Sequence, residues 1–89
     1  MLTPVYTKQF EKDLKQIKKQ HKNVEKLKIV LCTLIEEEKL DSIYRDQKLI
    51  GNWSGRHECH IESDWLLIYK IEEDLIIFER TGSHSDLFS

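Results

Sequence analysis

Three side chains in the second half of the sequence are of types that transfer protons: His60, Asp64 and His84. Arg80 lies between the last two in the chain and carries a permanent positive charge. Imidazole titrates near neutral pH, so a histidine can both take up and release a proton. Cleavage of RNA by its own 2′-hydroxyl needs a base for that hydroxyl, an acid for the departing 5′-oxygen and a cation beside the phosphorane. These four side chains form such a set, and this chemistry needs no metal and no cofactor.

A zinc site is the competing chemistry for the same region. His57, Cys59 and His60 lie close together in the sequence, but on a strand His57 and Cys59 share one face and His60 takes the other. Their spacing also matches no paired zinc-ligand pattern. We therefore expect no metal here, and we expect Cys59 to be a small buried residue rather than a nucleophile.

The spacing of apolar residues predicts the elements that carry these groups. Residues 2–6 are predicted to form a short strand at the edge of a sheet, because Pro4 has no backbone N–H to donate to a neighbouring strand. Thr7 and Asn23 can cap two helices that are separated by a break at residues 21–23. Apolar residues recur at helical spacing from position 10 to 17 and again from position 24 to about Glu38. An antiparallel helical hairpin is expected.

Strands follow in the second half of the sequence. From Glu58 the apolar residues alternate, and residues 65–71 form a nearly continuous apolar run, which is typical of a central strand covered on both faces. Residues 72–74 read as a turn before a last strand, and Gly82 is expected to end that strand and leave residues 83–89 as a tail. If the last two strands pair, Trp65 lies opposite Arg80, and the proton-transferring groups gather at one end of the sheet.

This order of elements predicts an α+β fold, in which a helical hairpin packs on one face of a mainly antiparallel sheet. With 89 residues the chain has the size of one small domain, which we place at residues 1–89. The longest apolar run has five residues, too few to cross a membrane, and no secretory signal is found. Two cysteines fit a reducing compartment, so we expect a cytoplasmic location.

Charge is distributed unevenly along the chain. Residues 1–48 hold 11 Lys and Arg against 8 Asp and Glu, whereas residues 49–89 hold 3 against 8. A lysine-rich first half is suited to contact with nucleic-acid phosphates, although lysine is also the usual residue of a solvated helix face. The charge pattern by itself leaves both interpretations open.

The second half of the sequence resembles the YafQ branch of the RelE/ParE toxin superfamily. The resemblance covers residues 44–88 and rests on these motifs: Tyr44-Arg45-Asp46, Leu49, Gly51, Trp53, Gly55, Glu58-Cys59-His60-Ile61, Asp64-Trp65-Leu66-Leu67-Ile68-Tyr69-Lys70 and Arg80-Thr81-Gly82-Ser83-His84-Ser85-Asp86-Leu87-Phe88. It implies a RelE-like fold and the toxin of a type II toxin–antitoxin pair. Members of the family cleave messenger RNA on the 70S ribosome without metal. They are silenced by a cognate antitoxin and contact operator DNA only as the toxin–antitoxin complex.

Carried over by position, the resemblance implies six site residues: catalytic His60, Asp64, His84 and Arg80, and substrate-binding Trp65 and Phe88. It makes Arg80 the residue that contacts the phosphate. Phe88, in a tail expected to be exposed, is well placed to stack on a base.

Three features depart from the family pattern. Gln47 stands where the family usually has histidine, and an amide neither accepts nor releases a proton at neutral pH. We therefore assign Gln47 to substrate binding and leave the role of base to His60 or Asp64. In the family an arginine directly precedes the acidic residue of an Arg-Glu-Cys-His motif. Here His57 stands in that place, before Glu58, and Arg56 comes one residue earlier. Both are expected to bind substrate. The isoelectric point of 6.1 is also lower than in most members of the family.

Two other functions remain open at this level. One is a ParE-like inhibitor of gyrase, which would not need the histidine and aspartate residues. The other is a module that no longer cleaves RNA because of Gln47 and acts by binding its antitoxin and regulating its operon.

Overall fold

A computed structural model describes residues 1–88 of the chain. In chain order its elements are β1 (Thr3–Tyr6), α1 (Lys8–Lys19), α2 (Val24–Ile35), β2 (Gln47–Lys48), β3 (His57–Glu62), β4 (Trp65–Glu72), β5 (Leu75–Gly82) and α3 (His84–Phe88). Single turns of 3-10 helix at Ser42–Tyr44 and Gly51–Trp53 flank β2. None of the helices in these residues is long and apolar enough to span a bilayer.

The strands form one sheet with the order β1-β5-β4-β3-β2. β1 runs parallel to β5, and the other three pairs are antiparallel. The α+β fold with a mainly antiparallel sheet that the sequence predicted is therefore confirmed. The edge position predicted for β1 from Pro4 is also confirmed.

Both predicted helix caps are present. Thr7 Oγ1 accepts a hydrogen bond from the Phe10 backbone N–H at 3.0 Å, and its hydroxyl donates to the Glu79 carbonyl oxygen at 2.9 Å. Asn23 Oδ1 accepts from the Glu25 backbone N–H at 3.1 Å. Helix α2 ends at Ile35, before the predicted end at Glu38, because carboxylates at positions 36–38 would oppose the negative end of the helix dipole.

The sheet is covered on both faces, as the apolar run of β4 predicted. On one face α1 and α2 pack against alternate residues of the strands; the fully buried residues there include Phe10, Ile17, Leu27, Val30, Cys59, Trp65, Leu67, Ile76 and Phe78. On the other face Leu66 and Ile68 are covered by Leu87 of α3, with Leu49 and Trp53 beside them.

The tail expected after Gly82 is instead a short helix, α3. Its start is fixed by a reciprocal capping box: the Asp86 backbone N–H donates to Ser83 Oγ and the Ser83 backbone N–H donates to Asp86 Oδ2, each at 3.2 Å. A helix of five residues is too short to show a hydrophobic period, which is why the sequence pattern missed it.

The predicted pairing of Trp65 with Arg80 is wrong. Arg80 lies opposite Ile68, and Leu66 lies opposite Gly82, with a register shift after Ile68. The tight turn pairs Glu72 with Leu75, and this register alone would place Arg80 opposite Leu67 rather than Trp65. The β-bulge then shifts the pairing by one more residue, and neither effect can be deduced from the alternation of either strand alone. The ends of β3 and β4 that meet at the turn nevertheless lie next to α3. His60, Asp64 and His84 therefore lie close together even though the strand register differs from the predicted one.

Candidate active site

His84 and Asp64 form the most direct contact among the predicted site residues. Asp64 lies in the turn between β3 and β4, and His84 is the first residue of α3. A single carboxylate oxygen, Asp64 Oδ1, lies 2.8 Å from His84 Nδ1 and accepts the His84 backbone N–H at 3.0 Å. These two hydrogen bonds, the backbone one first, lower the pKa of Asp64 below its ordinary value. With Nδ1 engaged, Nε2 is the His84 nitrogen that can exchange a proton with a substrate.

His60 completes the cluster. Its ring centroid lies 5.9 Å from that of His84, and its side chain is 12% exposed, compared with 53% for His84. His60 Nδ1 is buried and has no hydrogen-bond partner within residues 1–88. The cluster thus combines one exposed imidazole with one recessed imidazole.

Glu58 is a site residue that the sequence pattern did not single out. Its buried carboxylate lies 3.1 Å from His60 Nε2, at the place where positive charge would form if His60 accepted a proton. The signal was present in the sequence, because Glu58 lies two residues before His60 in an alternating strand and therefore shares its face.

Gln47 joins the same face from the edge strand β2. It pairs with Glu58 in the antiparallel register, and directly opposed residues project from the same face of a sheet. Gln47, which is exposed, therefore neighbours Glu58, the residue whose carboxylate contacts His60. This position is compatible with the predicted contact to substrate.

Phe88 flanks the cluster on its exposed side. Its ring lies 6.2 Å from His84 and 5.6 Å, edge to face, from Trp53. Phe88 is 41% exposed, an unusual amount for a large aromatic residue that is otherwise anchored. The guanidinium of Arg56 in turn lies over the Trp53 ring at 5.8 Å, and Arg56 forms an ion pair with Glu79.

Arg80 lies beside the histidine cluster rather than within it. Its Nε donates to Asp13 Oδ2 at 2.9 Å and its Nη2 donates to Asp13 Oδ1 at 3.3 Å. Arg80 lines a cleft of 320 Å³ together with Trp53 and Arg56. A second cleft, of 180 Å³, lies between Arg80 and Asp86 of α3.

Trp65 does not have the position that its predicted role requires. The ring is fully buried in the helix-facing core, and Nε1 donates to Thr81 Oγ1 at 2.9 Å. The structure therefore gives the predicted substrate contact of Trp65 no support, because no part of the side chain reaches the surface. Any effect of Trp65 on activity must pass through its neighbours.

His57 also lies away from the cluster. It is on the opposite sheet face from His60, where its ring stacks on Tyr69 at 5.2 Å and its Nδ1 lies 3.6 Å from Asp46 Oδ2. Tyr69 donates a hydrogen bond to the same carboxylate at 2.6 Å. The structure therefore gives the predicted substrate contact of His57 no support, because the helix-facing side of the sheet is a different surface.

Cys59 is fully buried, as predicted. Burial, with a smaller effect from the nearby Asp46 carboxylate, raises the pKa of its thiol far above the ordinary value. The thiol therefore stays protonated and is a poor nucleophile. Within residues 1–88 no group of three or more His, Cys, Asp or Glu side chains is arranged to hold a metal ion.

The fold and this cluster define the class of protein. Residues 2–89 match a family model described as a bacterial toxin of a type II toxin–antitoxin system. The chain belongs to this family, the YafQ toxins.

Named relatives and solved structures resemble the chain over nearly its whole length. The mRNA interferase toxin YafQ of Escherichia coli strain K12 is 44% identical over 84 residues, which cover 93% of this chain and 91% of that protein. In the crystal structure of the E. coli DinJ–YafQ complex, a chain that is 41% identical aligns over 100% of both chains with a TM-score of 0.93. A metal-bound toxin from Helicobacter pylori is 39% identical and aligns over 99% of this chain and 100% of its own with a TM-score of 0.92.

Proposed function

We propose that this chain is an mRNA interferase, an endoribonuclease toxin that cleaves messenger RNA on the ribosome without using a metal ion. The observation that carries the proposal is the contact of His84 with Asp64, at 2.8 Å, with the His60 ring 5.9 Å from that of His84. Two imidazoles at this separation can transfer protons at one phosphodiester, one at the attacking 2′-hydroxyl and the other at the departing 5′-oxygen. The E. coli relative that is named an mRNA interferase toxin supports the same activity.

The reaction divides into two proton transfers. A base takes the proton of the 2′-hydroxyl, the 2′-oxygen attacks the adjacent phosphorus, and the bond from phosphorus to the 5′-oxygen breaks. His84, protonated, gives a proton from Nε2 to that departing oxygen. The products are a 2′,3′-cyclic phosphate and a 5′-hydroxyl, and each proton transfer contributes on the order of 10²–10⁴ in rate.

We assign the base to His60 and a positioning role to Asp64. The two hydrogen bonds that Asp64 receives from His84 lower the pKa of the carboxyl, and a carboxylate of low pKa is a weak proton acceptor. The same bonds orient the His84 ring, as the buried aspartate does in a Ser-His-Asp triad. His60 remains as the proton acceptor. Because its Nδ1 is buried, Nε2 has to take the proton, and to do so it must turn from the Glu58 carboxylate, 3.1 Å away, towards the 2′-hydroxyl.

The remaining contacts with RNA come from residues around the cluster. Arg80 holds the scissile phosphate with guanidinium N–H groups that Asp13 does not engage. Phe88, which is 41% exposed beside His84, stacks on a base. Gln47 and Arg56 donate hydrogen bonds to RNA from the two sides of the site.

The partners follow from the same proposal. A cognate antitoxin would bind the chain and silence it, as the crystallised DinJ–YafQ complex of E. coli suggests. Contact with operator DNA would be made only by the toxin–antitoxin complex. The substrate, messenger RNA on the 70S ribosome, places the action of the toxin in the cytoplasm.

The test is cleavage of messenger RNA on purified ribosomes by wild-type protein and by His84→Ala. We expect this substitution to lower the cleavage rate by at least about 100-fold, on the order of one lost proton transfer. His21→Asn, which removes an exposed histidine from the turn after α1, serves as the control and should cleave within about twofold of wild type.

Two outcomes would contradict the proposal. If His84→Ala cleaves at the wild-type rate, His84 has no part in the mechanism. If the wild-type protein arrests growth without cutting messenger RNA, and the DNA-damage response rises instead, the activity is inhibition of gyrase.

A further inference from the structure

Asp13 is an unusual residue for the helix that carries it. Helix α1 presents its lysines to solvent, yet the Asp13 side chain is only 10% exposed and lies on the face packed against the sheet. Taking a carboxylate out of water is costly unless hydrogen bonds and opposite charge compensate for it. A buried aspartate at this position therefore needs a specific set of partners.

The structure supplies four donors to this carboxylate. Arg80 donates from Nε at 2.9 Å and from Nη2 at 3.3 Å, the Thr81 backbone N–H donates at 3.1 Å, and Gln9 Nε2 donates at 3.2 Å. Both oxygens are engaged, and the donors come from α1 and β5. The carboxylate thus joins a helix to the strand that ends at the proposed active site.

The contact immobilises Arg80. A free arginine side chain samples many rotamers, whereas two hydrogen bonds to one carboxylate fix both the position and the plane of the guanidinium. Of its five N–H groups, two point to Asp13 and three remain for other acceptors. Arg80 also borders the 320 Å³ cleft, where Trp53 and Arg56 lie, so a phosphate can reach it there.

The same network extends into the core. Thr81 Oγ1 donates to the Leu66 carbonyl oxygen at 2.7 Å and accepts from Trp65 Nε1 at 2.9 Å. Since the Thr81 backbone N–H donates to Asp13, a chain of hydrogen bonds connects the buried indole to the carboxylate that holds Arg80. Trp65 can therefore influence activity without touching RNA.

We propose that Asp13 is a positioning residue, which fixes the Arg80 guanidinium for the scissile phosphate with the support of Thr81 and Trp65. This inference rests on the proposed ribonuclease function. A purely structural role, in which Asp13 only ties α1 to β5, is the alternative that the experiment must separate. A structural role would act through all of the donors to Asp13, including Gln9 and the Thr81 backbone N–H, whereas a positioning role acts through Arg80 alone.

The experiment measures single-turnover cleavage of messenger RNA on ribosomes by five proteins: wild type, Asp13→Asn, Arg80→Ala, the double variant and Glu11→Gln. Glu11 is an exposed carboxylate on the same helix, so Glu11→Gln changes the net charge of α1 by the same amount as Asp13→Asn without touching Arg80. We expect Asp13→Asn to cleave about 10- to 100-fold more slowly and Glu11→Gln to stay within about twofold of wild type.

The double variant gives the decisive comparison. In a positioning role, Asp13→Asn causes no further loss when Arg80 is already alanine, because the group that it positions is gone. In a structural role, Asp13→Asn causes the same fold-loss in both backgrounds. Equal losses, or wild-type cleavage by Asp13→Asn, would overturn the inference.

A second measurement follows the guanidinium directly. The ¹⁵N NMR signal of the Arg80 Nε–H should be sharp and slow to exchange in wild type and broadened in Asp13→Asn. If Asp13→Asn does not fold, Gln9→Met replaces it, because loss of one exposed donor loosens the carboxylate and leaves its charge. We expect a broadened Arg80 signal and cleavage slower by about three- to tenfold; an unchanged signal and rate would count against the inference.

Failure of the inference can be told apart from failure of the proposed function. If wild type does not cleave messenger RNA, the ribonuclease function is wrong and the role of Asp13 falls with it. If wild type cleaves and Asp13→Asn cleaves equally well, only the role of Asp13 is wrong.

Discussion

At the scale of single residues, the orientation of His84 depends on one oxygen atom. Asp64 Oδ1 accepts both the backbone N–H of His84 and a bond to its ring. The lowered pKa of Asp64 means that its carboxyl is ionised above its ordinary value of 3.8. The small stability from this contact is therefore present above that value and is lost only as the pH falls through the lower pKa of the folded state.

Asp64→Asn should accordingly slow cleavage at every pH from about 5 to about 9, on the order of 10- to 100-fold, without removing an inflection from the rate profile. The reason is that Asp64 does not titrate in this range. Glu62→Gln, which removes a neighbouring exposed carboxylate paired with Lys26, is the control. Disappearance of an inflection in Asp64→Asn alone would make Asp64 the base.

Gln47 is the residue whose chemistry departs most from the family. Its amide lies on the face that carries Glu58 and His60, so Gln47→His would place a third imidazole there. We expect about tenfold faster cleavage on ribosomes, because a second group could then take part in proton transfer. Lys48→His puts the same side chain one residue away, on the opposite face, and should change the rate little. No gain from Gln47→His would show that this position carries no proton.

At the scale of elements, α3 is the weakest part of the site scaffold. It consists of five residues, and Leu87 is its buried contact with the sheet, against Leu66 and Ile68. A helix this short has almost no stability of its own and relies on packing and caps. The same helix carries both His84 and Phe88, so its docking would set the geometry of the proposed active site.

Leu87→Ala should therefore reduce cleavage at least about tenfold, more than its effect on folding would suggest. Leu27→Ala in α2 is the comparison, because it opens a cavity in the core on the opposite face at a cost of roughly 2–5 kcal/mol. Thermal melting and cleavage, measured where both variants are folded, should rank them in opposite orders. If the stability loss predicts the activity loss for both, α3 has no separate role.

At the scale of the whole molecule, charge is separated between the two halves of the chain. The two helices carry most of the lysines, whereas residues 49–89 are acidic. The overall charge of −2 therefore conceals a basic surface on the helical side. A surface of this kind favours binding to RNA through release of counterions.

Replacing Lys12, Lys15 and Lys19 by glutamine should weaken binding to ribosomes and flatten its dependence on salt. The slope of log affinity against log salt should decrease by roughly 0.7 for each phosphate that is no longer neutralised. Lys70→Gln, a lysine outside α1 that is paired with Glu72, should leave the slope unchanged. An equal slope in the triple variant would show that these lysines only keep the helix solvated.

Much of the fold could be predicted because it is encoded locally. The helical hairpin, its caps at Thr7 and Asn23, and the doubly buried strand β4 each follow from a pattern within a few residues of sequence. The short elements β2 and α3 were missed, since two and five residues are too few for a period to show. The capping box at Ser83 and Asp86 was the available signal for α3.

The sequence by itself determined which chemical groups the protein carries, the helices and strands that hold them, and its membership of a family. Only the tertiary structure decided which groups meet: Asp64 contacts His84 across 20 residues and Asp13 contacts Arg80 across 67, while Trp65 is withdrawn into the core. The reason is physical. Contacts between distant residues depend on strand register, bulges and helix docking, which are set by the packing of the whole chain and not by any short stretch of it.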